Sequence, residues 1–427
     1  MNVLIVGGGG REHALAWKTA QSADVATVFV APGNAGTALE DKLVNVPIDA
    51  GDIPALIAFA REQAIDLTIV GPEAPLVAGI SDAFAEAGLA CFGPSQQAAQ
   101  LEGSKTFCKD FMRRHDIPTA DYASFTDVDA ARAYIHKLGA PVVVKADGLA
   151  AGKGVVVATS VAEAETAVAD MLQADRFGAA GRRVVIEEFL TGEEASFIVM
   201  SDGEQVLAFA DSQDHKARDD GDKGPNTGGM GAYSPAPVVT GEVYATIMQQ
   251  VIMPTIKGMQ ADGMPYTGFL YAGVMIDAGN TPKVLEFNCR LGDPETQAIV
   301  LRLQSDLAGL CRLAVEHRLD KAKIAWDKRA AVGVVMAAAG YPADVARGDV
   351  ISGLDSDFAE AVKVFHAGTK KSGTDIVTNG GRVLCVTALG DDVTAARDRA
   401  YHAVQQISCP GMFYRKDIAH RAVLRES

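Results

Sequence analysis

The sequence predicts an α/β and α+β protein: a doubly wound parallel sheet at the amino end, a mixed middle, and a small α+β domain at the carboxyl end. Three observations carry this. Apolar, β-rich runs alternate with helical stretches through the first hundred residues, the pattern of a parallel sheet covered by helices. From about Gln100 the texture changes to longer strands and hairpins. From Ala330 onward come short strands, a helix and their own turns. The 427 residues suffice for roughly three domains of about 150 residues each.

Each element has a local reason. Val3–Val6 is a continuous apolar run that stops at glycine. Glu12–Ala20 reads as helix, Ala26–Val30 as a strand ending in APGNAG, and Ile53–Gln63 as helix. Asp66–Val70 is a strand that stops at GPEAPL, Ser81–Ala87 is helical, and LACFGPS supplies the next strand and stop. SKTFCKDFMRRH is a helix that Pro118 ends. Helix Val128–Leu138 and strand Val142–Lys145 lead into the loop ADGLAAGKGV. VVIEEFL, EASFIVMSDG and EQVLAFA read as strands, the last two joined across Asp202 and Gly203. Residues 211–237, rich in Gly, Asn and Asp, read as one long loop, of a length that is functional or disordered. FLYAGVMID turns at AGNTP into KVLEFN. In the last part AAVGVVMAAA and RVLCVTAL are strands and Val393–Gln406 is a helix.

Composition excludes several classes. At 48% hydrophobic and 22% charged, the chain can bury a full core. A net charge of -15 argues against a nucleic-acid or anionic-membrane surface, because both need a basic face. The six cysteines are scattered with no CxxC pair, so a disulfide framework or zinc site is not expected, and free thiols suit a reducing cytosol. No signal peptide is visible, and the longest apolar run, Ala330–Gly340, is too short to span a bilayer. A cytoplasmic enzyme is the expectation.

The opening GGGGREHA raises the possibility of a dinucleotide site. That fingerprint needs G-x-G-x-x-G or a final Ala. The third position is Glu12 counting from Gly7 and His13 counting from Gly8, so both registers fail. The second strand also ends in Pro32, Gly33 and Asn34 rather than in the acid that would hold a ribose diol. What survives is an anion site: backbone N–H groups of Gly8, Gly9 and Gly10 at a helix start, with Arg11 adding charge, or else a tight turn with no ligand. Gly33 and Asn34 of APGNAG and Glu73 of GPE lie at neighbouring strand ends, where ligands of open parallel sheets sit.

A second region looks built for polyphosphate. Lys145 ends a β-branched strand, and Gly148, Gly152, Lys153 and Gly154 follow. The residue after Lys153 is glycine, so this is not a Walker loop, yet a strand lysine and a glycine-rich flap can still cover phosphates. In VLEFNCRLGDPETQ, Glu286, Asn288 and Arg290 share one strand face. A carboxylate beside an amide oxygen suits Mg²⁺, and Arg290 can steady charge on a phosphoryl or acyl group. The alternative is an exposed sheet face with a Glu286–Arg290 salt bridge. His215, Lys216 and Arg218 add positive or titratable groups, whereas Asp219, Asp220 and Asp222 read as a solvated run.

Taken in order, GGGGREHA, APGNAG, GPEAPLV, EGSK, KADGLAAGKGV, VIEEFLTGEEAS, DHK, GPNTGGMGAYSP, EFNCRLGDPETQ and YRKDIAHRA resemble the glycinamide ribonucleotide synthetase (phosphoribosylamine–glycine ligase) family of the ATP-grasp superfamily, over nearly the whole chain. The resemblance implies an ATP-dependent ligation of glycine to 5-phosphoribosylamine in purine biosynthesis, with Mg²⁺ or Mn²⁺, by a chain that is a monomer. It implies a Rossmann-like substrate domain over 1–101, a linker over 102–122, a mobile lid over 123–192, an ATP-grasp catalytic domain over 193–328 and a carboxyl-terminal domain over 329–427. On this resemblance Lys105, Lys145, Gly152, Lys153, Gly154, Glu187 and Glu188 bind ATP. Glu286 and Asn288 hold the metal, and Arg290 and Lys216 are catalytic. Gly9, Gly10, Arg11, Gly33, Asn34, Glu73, His215, Gly229 and Asp293 belong to the substrate side. Two departures stand out. The strand YAGVMID carries only Asp277 as a possible further metal ligand, and Leu291 and Gly7 stand where Phe and Ser are expected in many members. Another ATP-grasp ligase or carboxylase using bicarbonate or formate, a nucleotide-sensing module and a dehydrogenase are the rival readings.

Overall fold

The computed structural model describes residues 1–150, 154–173 and 181–426. The amino-terminal part runs β1 (Asn2–Gly7), α1 (Gly10–Ala20), β2 (Thr27–Pro32), β3 (Leu43–Asn45), α2 (Ile53–Glu62), β4 (Leu67–Val70), α3 (Glu73–Val77), α4 (Ile80–Glu86) and β5 (Cys91–Phe92). Its five strands lie in the order β3-β2-β1-β4-β5, all parallel. Val3, Leu4, Ile5 and Val6 are all fully buried, as a strand covered on both faces must be. The edge strand β3 escapes sequence reading because three residues carry no period.

The chain then forms α5 (Gln100–Gly103) and α6 (Lys105–Arg114), followed by β6 (Tyr122–Phe125), α7 (Val128–Leu138), β7 (Val142–Ala146), β8 (Val155–Ala158), α8 (Val161–Gln173) and β9 (Val184–Glu188). Ser104 caps α6 by accepting the Phe107 N–H at 3.1 Å, and Asp127 caps α7 through Ala130 N–H at 2.8 Å. The four strands pair as β6-β9-β7-β8, antiparallel, and enclose a small core of their own around Val142, Val144, Ile186 and Val168.

The largest sheet gathers β10 (Glu193–Asp202), β11 (Val206–Asp214), β14 (Gly231–Ser234), β15 (Thr267–Ile276) and β16 (Pro282–Asn288). Between β11 and β14 lies an exposed ribbon, β12 (Ala217–Asp219) with β13 (Lys223–Asn226). Residues 211–237 are therefore not the single long loop that their composition suggests. The ribbon has no buried face to impose alternation, and β14 pairs with strands remote in sequence. Helices α9 (Gly241–Ile247), α10 (Met253–Ala261), α11 (Glu295–Arg302) and α12 (Leu307–Val315) surround this sheet.

The last part holds β17 (Ala330–Ala337), β18 (Val362–His366), β19 (Thr369–Ser372), β20 (Asp375–Thr378), β21 (Arg382–Gly390), α13 (Val393–Val404) and α14 (His420–Glu426). β17 pairs with β14, so the sheet continues through eight strands, β16-β15-β10-β11-β14-β17-β21-β18. The carboxyl-terminal residues keep a core around Val332, Val386, Ala400 and Ile418. Their sheet is nevertheless continuous with the one that carries Glu286, and this brings remote residues to the substrate side.

Candidate functional site

Glu286 and Asn288 leave β16 on one face, as the alternation requires, and the Asn288 amide lies 3.4 Å from Glu286 Oε1. Gly273 is the cross-strand neighbour of Glu286, so β15 offers no third oxygen there. Asp277 sits in the following turn, where it accepts the N–H groups of Gly279 and Thr281. Burial by itself raises the Glu286 carboxyl, but the ammoniums of Lys216, Lys145 and Lys105 outweigh it and hold its pKa at about 2. An ionised carboxylate beside an amide oxygen is a donor set that suits a hard divalent cation.

The lysines come from three separate parts of the chain. Lys105 opens α6 and donates to Gly148 O at 3.1 Å. Lys145, on β7, donates to Leu285 O at 3.3 Å and lies 3.0 Å from both Glu187 oxygens. Lys216 pairs with Glu194 on β10, and the carboxylates of Glu194, Asp214 and Glu286 hold its pKa well above the usual lysine value despite burial. Gly154 accepts nothing through a side chain, but its carbonyl receives the Ala146 N–H at 2.8 Å. Gly152 and Lys153 lie outside the described residues.

The EEFL segment is less free than its sequence suggests. Glu187 is buried between Lys145 and Lys109, whose Nζ is 2.8 Å away, although its Oε1 lacks a well-directed hydrogen bond. Glu188 receives Lys283 Nζ at 2.9 Å.

Arg290 is held by two carboxylates, Glu102 at 2.9 Å and Glu73 at 3.3 Å, and donates weakly to Asn288 Oδ1 at 3.4 Å. Glu73 therefore acts through Arg290. Three residues beyond Arg290 the chain reaches Asp293, which lines a cavity of about 390 Å³ with Gly8, Gly9, Gly10, Gly33 and Asn34. Residues 290–293 thus join the lysine cluster to the glycine loop.

The carboxyl-terminal sheet completes this cavity with Ala367, Gly368, Thr369, Asn379 and Arg382. Arg382 donates to Asp293 O at 2.5 Å and also binds Gly228 O. Gly229, at φ 109°, packs where a Cβ would meet Pro294 at 2.5 Å. The glycine loop is equally crowded: a Cβ on Gly8 would lie 2.7 Å from Gly33 O, and one on Gly10 would lie 2.6 Å from the Gln297 amide.

Several expected ligand groups are engaged with the protein itself. The Gly9 N–H is taken by Glu12 Oε2 at 2.6 Å. Arg11 is buried, donates to Glu12 Oε1 at 2.6 Å and Leu291 O at 3.2 Å, and is not among the residues that line the cavity. The Asn34 amide donates to Gly8 O and His366 O and accepts from Gly36 and Thr37 N–H, so its side chain shapes the loop. His215 is buried, accepts the Ala419 N–H at 2.9 Å and faces Asp222. Asp222 also binds Arg415 and Arg421. With two guanidiniums on that carboxylate, the His215–Asp222–His420 cluster is an ion-pair network rather than a cation site. Sequence reading missed Lys109, Glu102, Arg382 and Asp214. Asp214 sits near Lys216 and Glu295, and burial pushes its carboxyl well above the usual range.

Lysines gathered between a small antiparallel sheet and a larger one, around Glu286 and Asn288, mark an ATP-grasp protein. The chain belongs to the phosphoribosylglycinamide synthetase family, matching its N domain over residues 1–102, its ATP-grasp (A) domain over 103–296 and its C domain over 331–421. It is 65% identical over 426 residues to the phosphoribosylamine–glycine ligase of Vibrio vulnificus strain YJ016, covering all of this chain and 99% of the relative. It is 63% identical over 427 residues to the enzyme of that name from Escherichia coli K12, covering both chains fully. Among solved structures it is similar to the phosphoribosylamine–glycine ligase of Thermotoga maritima, with a TM-score of 0.85 and 33% identity over 98% of this chain and 100% of that one. The biotin carboxylase domain of a Hydrogenobacter thermophilus carboxylase, solved with MgADP and bicarbonate, shares the fold at a TM-score of 0.75 and 16% identity, over 97% and 91% of the two chains. Among the described residues no helix is long and apolar enough to cross a membrane.

Proposed function

We propose that this chain ligates glycine to 5-phosphoribosylamine at the expense of ATP, as a monomer in the cytoplasm. The observation that carries this reading is the continuity of residues 286–293, which run from a cluster of lysines around Glu286 to a separate cavity walled by glycines and the carboxyl-terminal sheet.

In this reading Lys105 and Lys145, with Gly152, Lys153 and Gly154 of the flap, bind the ATP phosphates, and the Glu187–Glu188 strand reads the base and ribose. Glu286 and Asn288 hold Mg²⁺ or Mn²⁺, which would neutralise charge on the transferring phosphoryl group. The glycine carboxylate attacks the γ-phosphorus, the bond to ADP breaks, and glycyl phosphate forms. The amine of phosphoribosylamine then attacks the acyl carbon, phosphate leaves, and the nitrogen gives up a proton. The demand on the protein is positioning and charge balance rather than a nucleophilic side chain. Arg290, steered by Glu73 and Glu102, faces the acyl phosphate, with Lys216 beside it. The small sheet covers the phosphates and keeps water from the intermediate. The substrate phosphate sits in the cavity of Gly8–Gly10, Gly33 and Asp293. Asn34 lines that cavity and braces the loop, Arg11 supports the loop from behind, Gly229 packs against Pro294, and His215 stays with Asp222 in its ion-pair network.

The test is ADP release with each substrate omitted in turn. Turnover that requires both glycine and phosphoribosylamine supports the assignment. Turnover with bicarbonate or formate and none with glycine overturns it.

A further inference from the structure

The small sheet and the main body keep separate cores. Val142, Val144 and Ile186 belong to one, and Cys108, Phe111 and Val284 to the other. Several polar links bridge the seam between them. The α6 start binds Asp147, with Lys105 N–H on its carbonyl at 2.9 Å and Thr106 N–H on its carboxylate at 2.6 Å. Lys283 reaches Glu188 at 2.9 Å, and Lys145 reaches Leu285 O.

Lys109, with Glu187, is the most buried charged member of this seam. It lies on α6 and is only 2% exposed. Its ammonium donates to Thr119 Oγ1 at 2.7 Å and sits 2.8 Å from Glu187 Oε2. Thr119 in turn donates to Val284 O at 2.6 Å, so Lys109 ties α6, β9 and β16 at one point. Burial, together with the neighbouring Lys145, outweighs the Glu187 carboxylate and holds its pKa below the usual lysine value. A lysine is rarely this buried unless it has a partner, and nothing in the proposed chemistry gives Lys109 a substrate to touch.

The charge count gives it a role. Glu187 bears one negative charge and faces two ammoniums, Lys109 and Lys145. With Lys145 alone, Glu187 would form a closed, neutral pair and Lys145 would gain little from a further anion. With Lys109 present, the trio of Glu187, Lys109 and Lys145 carries one excess positive charge, and the next carboxylate, Glu286, is shared by Lys145 with Lys105 and Lys216. A phosphate oxygen at Lys145 then restores neutrality in a low-dielectric setting where the attraction is strong.

We propose that Lys109 is a positioning residue for the nucleotide: it shares Glu187 with Lys145, fixes the Lys145 ammonium and leaves it short of negative charge. This rests on the reading of Lys145 as a phosphate ligand.

The test compares Lys109→Met, Lys145→Met and the double variant in the full chain, with KM for ATP and for glycine, ADP affinity by calorimetry, and melting temperature. Lys109→Met is expected to raise the ATP KM and the ADP dissociation constant about tenfold and to leave the glycine KM within about twofold. In the Lys145→Met background, Lys109→Met is expected to add nothing further to the ATP KM, because its partner is already gone. If Lys109→Met does not fold, Lys109→Gln, which keeps a donor for Thr119 without the charge, takes its place with the same expectation. Equal losses for ATP and glycine, or additive effects in the double variant, overturn the proposal in favour of a purely structural strut. An unchanged ATP KM in Lys145→Met overturns the reading of Lys145 itself and the proposal with it.

Discussion

At the lysine end of the site, Lys105, Lys109 and Lys145 converge on Glu187 and Glu286, with Asp147 and Lys216 close by. At the glycine end the charges are already matched: Asp293 lies against Arg382, Arg11 against Glu12, and the Asn34 amide has a partner at every donor and acceptor used by the loop. The first region is built to be completed by a highly charged ligand. The second is built to hold a shape, with backbone held so close that side chains would not fit. The two ends should therefore fail differently when altered, the first through charge and the second through space.

The largest effect is expected at Glu286. Glu286→Gln keeps the size and removes the charge, so kcat should fall by roughly 10³-fold with little change in melting temperature. Steady-state ADP release at saturating Mg²⁺ checks this. Retained activity would erase the distinction between the two ends by showing that the carboxylate only balances the lysines.

Next comes the glycine loop. Gly8→Ala places a Cβ 2.7 Å from Gly33 O, and backbone cannot retreat as a side chain can. We expect kcat/KM for phosphoribosylamine to fall about 100-fold while the ATP KM stays within about twofold. Equal losses on both substrates would mean that the loop supports the whole fold rather than one end of it.

Arg382 and Arg11 sharpen the comparison further. Arg382 lines the cavity and holds Asp293 and the Gly228 carbonyl, whereas Arg11 points inward. Arg382→Met is expected to raise the phosphoribosylamine KM about tenfold, and Arg11→Ala to cost mainly stability, about 2–3 kcal/mol by denaturant titration. The reverse pattern would return Arg11 to the phosphate role that its place in GGGGREHA suggests.

The same contrast explains what the sequence could and could not reveal. Glu286 and Asn288 are legible because strand alternation puts them on one face and their chemistry is distinctive. Gly8, Gly9 and Gly10 are legible because a strand ending in glycines before a helix has few other uses. Lys109 is not, since it sits in KDFMRRH among other basic residues and looks like a solvated helix face. Arg382 is not, because it arrives from the last domain through a sheet continuity that no local pattern signals. Asn34 and Arg11 are legible as site residues but not in direction: polar groups near a loop can face the ligand or brace the loop, and only the three-dimensional partners decide which.

The smallest effect lies behind the glycine end, where α1 meets β18. His366 donates its backbone N–H to His13 Nδ1 at 2.8 Å, and His13 Nε2 lies 3.1 Å from Glu40, which also binds Lys363. Burial first, then the neighbouring His13 and Lys363, against the pull of Glu40, lower the His366 pKa to about 3, and burial lowers that of His13 as well. Both rings are thus neutral in the fold but take up protons near pH 6.5 when unfolded. Below that value the unfolded chain binds more protons, so stability is full above pH 6.5 and is lost as the pH falls toward the folded values. For His366 alone the loss between pH 6.5 and 5.5 should be about 1 kcal/mol. Glu40 adds nothing in this window, because its own carboxyl is held at about 2 and its contribution fades only below about pH 4.5. Denaturant midpoints of wild type and His366→Gln at the two pH values measure the difference. A flatter dependence in the variant is expected. An equal slope would show that His366 takes up its proton in the folded state, and that the wall behind the glycine loop is open to water.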